Sequence, residues 1–472
     1  MNPIPNYNPL EHLPVLCTTR REFLEKTGMG YGAMCMASVL GAGMLTGSRA
    51  EAAVAGQAKG PLAPKQPHFP AKAKHVIHIF ASGGPSHVDT WDPKPLLEKH
   101  AGETVPGTNG LAFPSPFKFE KKGKSGIEVS EVFPKLGGHV DEMAVIRSLW
   151  TDIPAHEVAQ RFMNTGSLQL PKPSWGSWVL YGLGTENQNM PGFITLSGKP
   201  EWRQASFLPG VFQGVNVNYN PKMRLDEVLL NIRNQFVGSN VQRAQLDLAQ
   251  KLNAAHAASL QRDEQLESRI EAFEMAFKMQ TEATDAFDIS KESQSARELY
   301  GPTDIGAKLM VARRLVERGV RFVQVEHGGW DHHNNIDQTM RRKAGEIDGP
   351  AAGLLTDLKQ RGLLDSTLVI WGGEFGRTVT RDKNGNDVPG RDHNGRAMVT
   401  WLAGGGVKGG TVYGATDEFG ARAAENKVHI HDLHATVLAL LGFDHKKLTY
   451  RYNGRDFRFT DNFGTVVKEI IA

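Results

Sequence analysis

The chain has little cysteine. Its 472 residues include only two, Cys17 and Cys35, and both lie near the N-terminus. Structural disulfides, zinc ribbons, iron-sulfur clusters and cysteine nucleophiles all require cysteine at the site. These chemistries are therefore excluded from everything that follows residue 35.

The chain also lacks an excess of either charge. Lysine and arginine number 54 against 51 aspartates and glutamates, so the formal net charge is +3. This balance creates no long-range field able to hold a polyphosphate backbone, and a nucleic acid is not an expected partner. The hydrophobic fraction of 40% and the charged fraction of 22% are ordinary for a globular protein and exclude a disordered or fibrous chain.

The N-terminus has the pattern of a twin-arginine export signal. Arg20 and Arg21 precede an uncharged stretch from Gly28 to Ser48, and small residues around Ala50 to Ala52 offer a cleavage site. We expect residues 1–52 to be removed and the mature protein to be periplasmic or secreted, with no stable membrane span. The alternative is an uncleaved anchor, because the uncharged stretch approaches the ~20 residues that span a bilayer. Its six glycines favour cleavage, since they make a poor membrane helix.

After the leader, short apolar runs alternate with helical patterns. Residues 53–74 are rich in alanine, glycine and proline and predict an extended linker, and residues 75–472 predict one domain. Six apolar runs predict buried strands: Val76–Phe80, Met143–Leu149, Phe193–Leu196, Val320–Glu326, Thr367–Trp371 and Met398–Ala403. Two helical patterns end before Gly319 and Gly362. This alternation predicts an α/β fold with a mainly parallel sheet, covered on both faces, whose functional loops follow the strand carboxyl ends.

Two segments depart from the alternation. The stretch from Ser239 to Tyr300 contains neither glycine nor proline, and Leu266, Ile270 and Phe273 recur at helical spacing. We interpret residues of about 222–300 as a helical insertion packed against the sheet; a lid and an arm for a homo-oligomer are the alternatives. The tail at about 448–472 contains an Asn-Gly pair and predicts a hairpin.

Four loops next to predicted strands carry groups able to bind a metal. Each has a carboxylate and three also have histidine; the candidates are His87, Asp89, Glu326, Asp331, His332, His333, Glu374, Asp392 and His393. Mixed oxygen and imidazole ligands suit Zn, Mn or Fe, and with fewer histidines Ca or Mg. The alternative is a set of capped turns, since aspartate and glycine are ordinary turn residues. Arg377 and Arg391, in the last two loops, are candidates to hold an anionic substrate group.

The order of these loops resembles the alkaline phosphatase superfamily, and most closely an exported bacterial sulfatase-like family of unknown function. The resemblance covers the whole chain and rests on the leader together with Gly83–His87, Asp92–Pro95, Gly329–His333, Gly373–Thr378, Gly404–Gly406 and Asp432–Gly442. It implies an alkaline phosphatase/sulfatase-like three-layer sandwich that binds one or two divalent ions.

The same resemblance implies metal ligands by position. These are Asp89, Asp331, His333, Glu374 and His393, with His87, Glu326, His332 and Asp392 as further candidates. Phe375 stands where the superfamily has another histidine, so a second ion would need His87 or Asp392 as a ligand.

The position of the nucleophile departs most from the sulfatases. Sulfatases place a cysteine, converted to formylglycine, ten residues before the glycine of a Thr-Gly pair; here Thr165-Gly166 closes a helix and His156 occupies that place. A formylglycine sulfatase is therefore excluded. His156 is a candidate nucleophile, metal ligand or general acid. Asp152 is placed to cap the helix and Pro154 to occupy its first turn.

Together these features predict an exported, metal-dependent hydrolase of sulfate or phosphate esters. Its substrate would be an anionic ester or a sulfated polysaccharide. The alternative is a non-catalytic family member that binds an anionic or sulfated glycan in the same pocket, which the missing nucleophile and Phe375 would explain.

Overall fold

The computed structural model describes residues 60–169, 172–187, 189–228, 238, 240–245, 247–248, 251, 284–382 and 388–472. The predicted leader, the start of the predicted linker and the centre of the predicted helical insertion lie outside these residues. Among the helices that are described, none combines the length and the apolar character needed to cross a bilayer.

Strands and helices alternate through the described chain. The strands are β1 (His75–Phe80), β2 (Phe119–Lys122), β3 (Ile127–Ser130), β4 (Met143–Trp150), β5 (Phe193–Leu196), β6 (Val215–Val217), β7 (Phe322–Glu326), β8 (Thr367–Gly372), β9 (Gly376–Arg377), β10 (His393–Asn394), β11 (Met398–Ala403), β12 (Thr411–Tyr413), β13 (Ala415–Thr416), β14 (Ala423–Glu425), β15 (Val428–His429), β16 (Tyr450–Tyr452) and β17 (Arg455–Phe457). The α-helices are α1 (Pro95–Lys99), α2 (His156–Thr165), α3 (Trp175–Leu183), α4 (Leu225–Val228), α5 (Thr284–Phe287), α6 (Gln294–Tyr300), α7 (Asp304–Glu317), α8 (Ile336–Gln360) and α9 (Ile430–Leu440).

One large sheet forms the centre of the domain. Its strand order is β12-β4-β11-β8-β1-β7-β5-β6, with β15 also paired to β4. Every pairing in this sheet is parallel except those of β11 with β4 and β8. All six apolar runs singled out in the sequence are strands of this sheet, so the prediction of an α/β fold with a mainly parallel sheet is confirmed.

The sheet separates two hydrophobic cores. Successive side chains of a strand point to opposite faces, and in β1 Ile77 and Ile79 join the core under α7 and α8. Val76 and Phe80 of the same strand join the core under α2, α3 and α9. Two helical layers around one sheet are the three-layer arrangement that the sequence predicted.

Residues 60–74 contain no helix or strand, as expected for an extended segment, yet they lie against the domain. The amide of Lys65 donates to the carbonyl of Leu183 at 2.8 Å, and the amide of Ala73 donates to that of Leu440 at 2.9 Å. Leu62 and Ala73 are buried. This part of the predicted linker is therefore held on α3 and α9.

The predicted C-terminal hairpin is present but short. Strands β16 and β17 pair in antiparallel fashion around Asn453 and Gly454. Both turn residues have positive φ, 45° and 80°, which is the conformation that an Asn-Gly hairpin turn requires.

The direction of the strands decides where the loops meet. Because β1, β4, β7 and β8 run the same way, the loops after them reach one edge of the sheet. Strand β11 runs the opposite way, so the loop before it reaches that same edge. This edge carries the candidate residues of the sequence analysis.

Candidate metal centre

Three imidazoles converge on one carboxylate at this edge. The Oδ1 atom of Asp331, in the loop after β7, lies 2.9 Å from His333 Nε2, 3.2 Å from His393 Nε2 and 3.3 Å from His156 Nε2. The Nε2 atoms of His333 and His393 are 2.9 Å apart. The fold thus brings together four predicted site residues from three separate loops.

The other ring nitrogen of each imidazole faces an oxygen acceptor. The pairs are His156 Nδ1 with Glu374 Oε1 at 2.7 Å, His333 Nδ1 with Asp382 Oδ2 at 2.5 Å, and His393 Nδ1 with the carbonyl of Pro154 at 3.0 Å. Since a carboxylate or a carbonyl can only accept, each neutral ring donates from Nδ1 and keeps a lone pair on Nε2. Histidines that bind metals are held in this way, with the second nitrogen donating to a carboxylate or a backbone carbonyl.

The convergence fits a divalent cation. Three Nε2 lone pairs and one carboxylate oxygen face one another, and a positive charge between them satisfies all four. Ligand atoms of His156, Asp331 and His393 lie within 4.8 Å of one another, and so do those of His333, Asp392 and His393. His156 Nε2 is buried and faces Asp331 Oδ1 at 3.3 Å.

The electrostatics of the cluster also favour positive charge. Burial alone lowers the pKa of His156, but the hydrogen bonds and charges of Asp331 and Glu374 outweigh it and raise that pKa to about 9. Burial raises the pKa of Asp331, yet His156, His393 and Arg377 together hold it well below its usual range. Both shifts favour a positive charge beside the carboxylate of Asp331.

Glu374 lies behind His156, away from the Nε2 atoms. It is fully buried, and its Oε1 atom accepts hydrogen bonds from Gln160 Nε2 and from the Gly83 amide, both at 3.0 Å. The structure therefore places this predicted ligand as the partner that orients His156. Gln160 was missed by the sequence analysis, although its place four residues after His156 on α2 puts both side chains on one helix face.

Arg377 fixes Asp331. Its side chain is fully buried, and Nη2 donates to Asp331 Oδ1 at 2.5 Å. Nε donates to the carbonyl of Gly84 at 2.9 Å, and Nη1 donates to that of Arg391 at 3.1 Å. The guanidinium expected to hold a substrate anion is thus occupied by the loops of the site itself.

Gly83 and Phe375 shape the surroundings of the centre. Gly83 has φ 112°, and a Cβ there would lie 2.7 Å from the backbone nitrogens of Trp330 and Asp331, so only glycine lets the two loops approach. Phe375 is buried with its ring centroid 4.8 Å from that of His156 and 4.6 Å from that of His393. The phenylalanine that replaces the expected histidine is an apolar wall beside both imidazoles.

Asp89 and Arg391 pair with each other outside the cluster. Both side chains are fully buried, with Arg391 Nε 2.6 Å from Asp89 Oδ2 and Arg391 Nη2 3.1 Å from Asp89 Oδ1. Burial raises the pKa of Asp89, but Arg391 holds it below its ordinary value. In place of an expected metal ligand and an expected anion site, the fold forms a buried ion pair.

The further candidates occupy different surroundings. His87 is buried and donates from Nε2 to the carbonyl of Gly420 at 2.8 Å. His332 is buried, and burial together with Arg377 lowers its pKa to about 4.

Glu326 accepts from Ser82 Oγ at 2.9 Å and lines a separate cleft of about 400 Å³. Of this group only Asp392 lies at the centre, with Oδ1 4.0 Å from His333 Nδ1.

The helix that starts at His156 is capped differently from the prediction. Its N-cap is Ala155, with no side-chain cap, and Asp152 instead pairs with His429 at 2.8 Å. Pro154 precedes the helix, where its carbonyl is committed to His393. Gly166 ends the helix with φ 62°, as predicted. Asp382 and the carbonyl of Pro154 carried no signal in the sequence.

Residues 73–471 match the family model described as "Protein of unknown function (DUF1501)". No curated protein matches the sequence.

The PsFucS1 sulfatase from Pseudoalteromonas sp. is similar in structure, with 12% identity and a TM-score of 0.34 over 79% of this chain and 68% of that one. The lipoteichoic acid synthase LtaP from Listeria monocytogenes has 11% identity and a TM-score of 0.32, over 84% and 78% of the two chains. The alkaline phosphatase from the Antarctic bacterium TAB5 has 13% identity and a TM-score of 0.29, over 74% and 94%.

Proposed function

We propose that this chain, which belongs to the DUF1501 family, is an exported metal-dependent hydrolase of sulfate or phosphate esters. One observation carries the proposal: three imidazoles, each with Nδ1 committed to an oxygen, present Nε2 to Asp331. His156 stands where sulfatases carry the residue that is converted to formylglycine, so the proposed mechanism is not of the formylglycine type. The twin-arginine pattern at Arg20 and Arg21 supports action in the periplasm or outside the cell.

Asp331, His333 and His393 are the residues that would hold the ion. Three protein ligands leave a position for water or substrate, and two imidazoles with one carboxylate suit Zn or Mn better than Ca or Mg. When bound, such an ion polarises an ester oxygen or lowers the pKa of a water molecule. We assign a single ion, because the carboxylate of Asp89 is already satisfied by Arg391.

His156 is the acid–base group of the proposed site. Glu374 accepts from Nδ1 at 2.7 Å and so fixes the ring, while Nε2 faces the cluster. A ring oriented by a buried carboxylate can hold a proton at Nε2 and deliver it to the oxygen of a leaving group. Phe375 keeps water from the side of the ring that it covers.

The experiment that tests this function is metal analysis of the purified protein combined with a panel of chromogenic sulfate and phosphate esters. Wild-type protein should contain near-stoichiometric divalent metal and should hydrolyse at least one ester. Asp331→Asn should lose both properties. The matched control is Asp337→Asn, an exposed aspartate on α8 whose carboxylate pairs with Arg341, and it should retain both.

Two outcomes would overturn the proposal. Metal-free wild-type protein would show that hydrogen bonds and not an ion hold the histidine cluster together. Metal-loaded protein without turnover on any ester would favour the non-catalytic alternative, in which the same pocket binds an anionic glycan.

A further inference from the structure

A cleft rich in lysine lies away from the metal centre. It has a volume of about 640 Å³, and its walls include Lys72, Lys446, Lys447 and Lys468. We call it the lysine cleft. All four side chains belong to exposed residues, and none forms an ion pair with any other described residue. Asp444 is the carboxylate in the lining, and one of its oxygens accepts from the Lys446 amide at 2.9 Å.

A second cleft adjoins the first. It measures about 800 Å³ and shares Lys446, Gly464 and Thr465 with the lysine cleft. We call it the aromatic cleft because Trp150, Phe162 and Phe463 line it. The ring of Phe463 is 62% exposed and stacks on His431 at 5.3 Å between centroids. An exposed, supported aromatic ring is a flat apolar surface of the kind on which a sugar ring packs.

The carboxylates of the aromatic cleft are already engaged. Asp152 pairs with His429 at 2.8 Å, and Asp461 pairs with Lys172 at 2.8 Å. Asp432 accepts from the amides of His429 and Thr465. Asp432 and Asp444 accept from amides and have no cation partner among the described residues, so the four lysines outnumber the carboxylates without an ion pair along the two clefts.

The aromatic cleft begins at a loop that also supports the metal centre. Asp152 and Pro154 lie between β4 and α2, and His156 is the first residue of α2. Asp152 lines the cleft, the carbonyl of Pro154 holds His393, and His156 belongs to the cluster. A ligand in the aromatic cleft thus contacts the same short loop that positions two of the cluster histidines.

We propose that the aromatic and lysine clefts form one binding track for a linear, sulfated polysaccharide. Phe463 supports a sugar ring, and the four lysines of the second cleft hold sulfate groups further along the chain. Since the whole protein carries only +3, this local cluster is what gives it affinity for a polyanion. The choice of a polysaccharide over another polyanion rests on the ester hydrolase function proposed above.

Binding to dextran sulfate, measured by isothermal titration calorimetry at about 0.15 M salt, tests the track. The triple variant Lys446→Ala/Lys447→Ala/Lys468→Ala should weaken binding about tenfold or more, since three exposed charge contacts are lost. The matched control is Lys99→Ala/Lys118→Ala/Lys121→Ala, which removes three exposed lysines elsewhere on the domain and should change binding less than about twofold. Phe463→Ala should weaken binding severalfold, and neutral dextran should bind far more weakly than dextran sulfate.

Each other outcome has a definite meaning. Equal binding by the cleft variant and the control variant would overturn the track, whatever the ester panel gives. Lysine-dependent binding to vesicles of anionic phospholipid, without binding to dextran sulfate, would replace the polysaccharide by a membrane surface and overturn the proposal. The protein could hold no metal and hydrolyse no ester, yet still bind dextran sulfate through the lysines. In that case the binding track stands and the proposed hydrolase function is rejected.

Discussion

The Nε2 atoms of His333 and His393 lie 2.9 Å apart, and the Nδ1 atom of each ring faces an oxygen that can only accept. Two neutral rings held this way point lone pairs at each other, which is unfavourable unless a positive charge lies beside both. Asp331, 2.9 Å and 3.2 Å from these nitrogens, adds a negative charge to the same spot. This relationship is the physical basis of the proposed metal centre.

Glu374→Gln tests the orienting role of Glu374. We expect kcat to fall about 100-fold, because the ring of His156 loses the carboxylate that fixes it and stabilises its protonated form. Metal content should stay at the wild-type level. Gln160→Leu, which removes another hydrogen bond to the same carboxylate, should reduce kcat less than about tenfold. Loss of metal from Glu374→Gln would show instead that Glu374 is itself a ligand, as the family resemblance implied.

Asp89→Asn separates a structural ion pair from a metal ligand. The substitution leaves Arg391 buried without its counter-charge, so the free energy of unfolding should fall by about 3–5 kcal/mol in chemical denaturation. Metal content should be unchanged in the protein that remains folded. The double variant Asp89→Leu/Arg391→Met, which removes both charges, should recover part of the stability. A stable Asp89→Asn protein that has lost its metal would contradict this assignment.

Gly83→Ala tests the close approach of two loops. A Cβ at residue 83 would lie 2.7 Å from the amide nitrogens of Trp330 and Asp331, so Asp331 must move and metal affinity should fall. Gly102→Ala is the matched control, because Gly102 also has positive φ but has nothing within 4 Å of a Cβ. The control should show the backbone penalty alone, about 1–2 kcal/mol in the free energy of unfolding, with metal content retained. Equal metal content in both variants would contradict the prediction.

His78 makes the protein sensitive to acid. Burial lowers its pKa from 6.5 to about 3, so the unfolded chain takes up a proton in this range and the folded chain does not. Stability should therefore decrease as the pH falls below 6.5, by about 1.4 kcal/mol per pH unit for this one group.

In His78→Leu, the slope of the free energy of unfolding against pH should be smaller by up to about 1.4 kcal/mol per pH unit between about pH 6 and pH 4. An unchanged slope in His78→Leu would mean that the pKa of His78 is not lowered in the folded protein.

Much of the fold could be read from the sequence because its signals are local. Six apolar runs became the central strands, and Gly319 and Gly362 end α7 and α8 as the stop signals predicted. A strand that is buried on both faces of a parallel sheet needs a continuous run of apolar residues, and such a run can be recognised in the sequence. The grouping of Asp331, His333, His393 and His156 at one edge also followed, since parallel strands deliver their loops to the same end.

The partners of each charged group could not be read in the same way. Asp89 and Arg391 are 302 residues apart, and His156 and Glu374 are 218 apart. Whether a carboxylate pairs with an arginine or with an imidazole depends on distances of a few ångströms between loops. Only the packed sheet brings these loops together. For the same reason Asp382 and the carbonyl of Pro154 had no signal as supports of the cluster.

The sequence by itself determined the α/β class, the order of the strands along the chain and the exclusion of cysteine chemistry from the domain. These properties follow from hydrophobic periodicity and from composition, which need no knowledge of long-range contacts. Only the tertiary structure decided that Asp89 neutralises Arg391, that Glu374 supports His156, and that three Nε2 atoms surround Asp331. These pairings depend on the distances between loops at the carboxyl edge of the sheet, and those distances exist only in the folded chain.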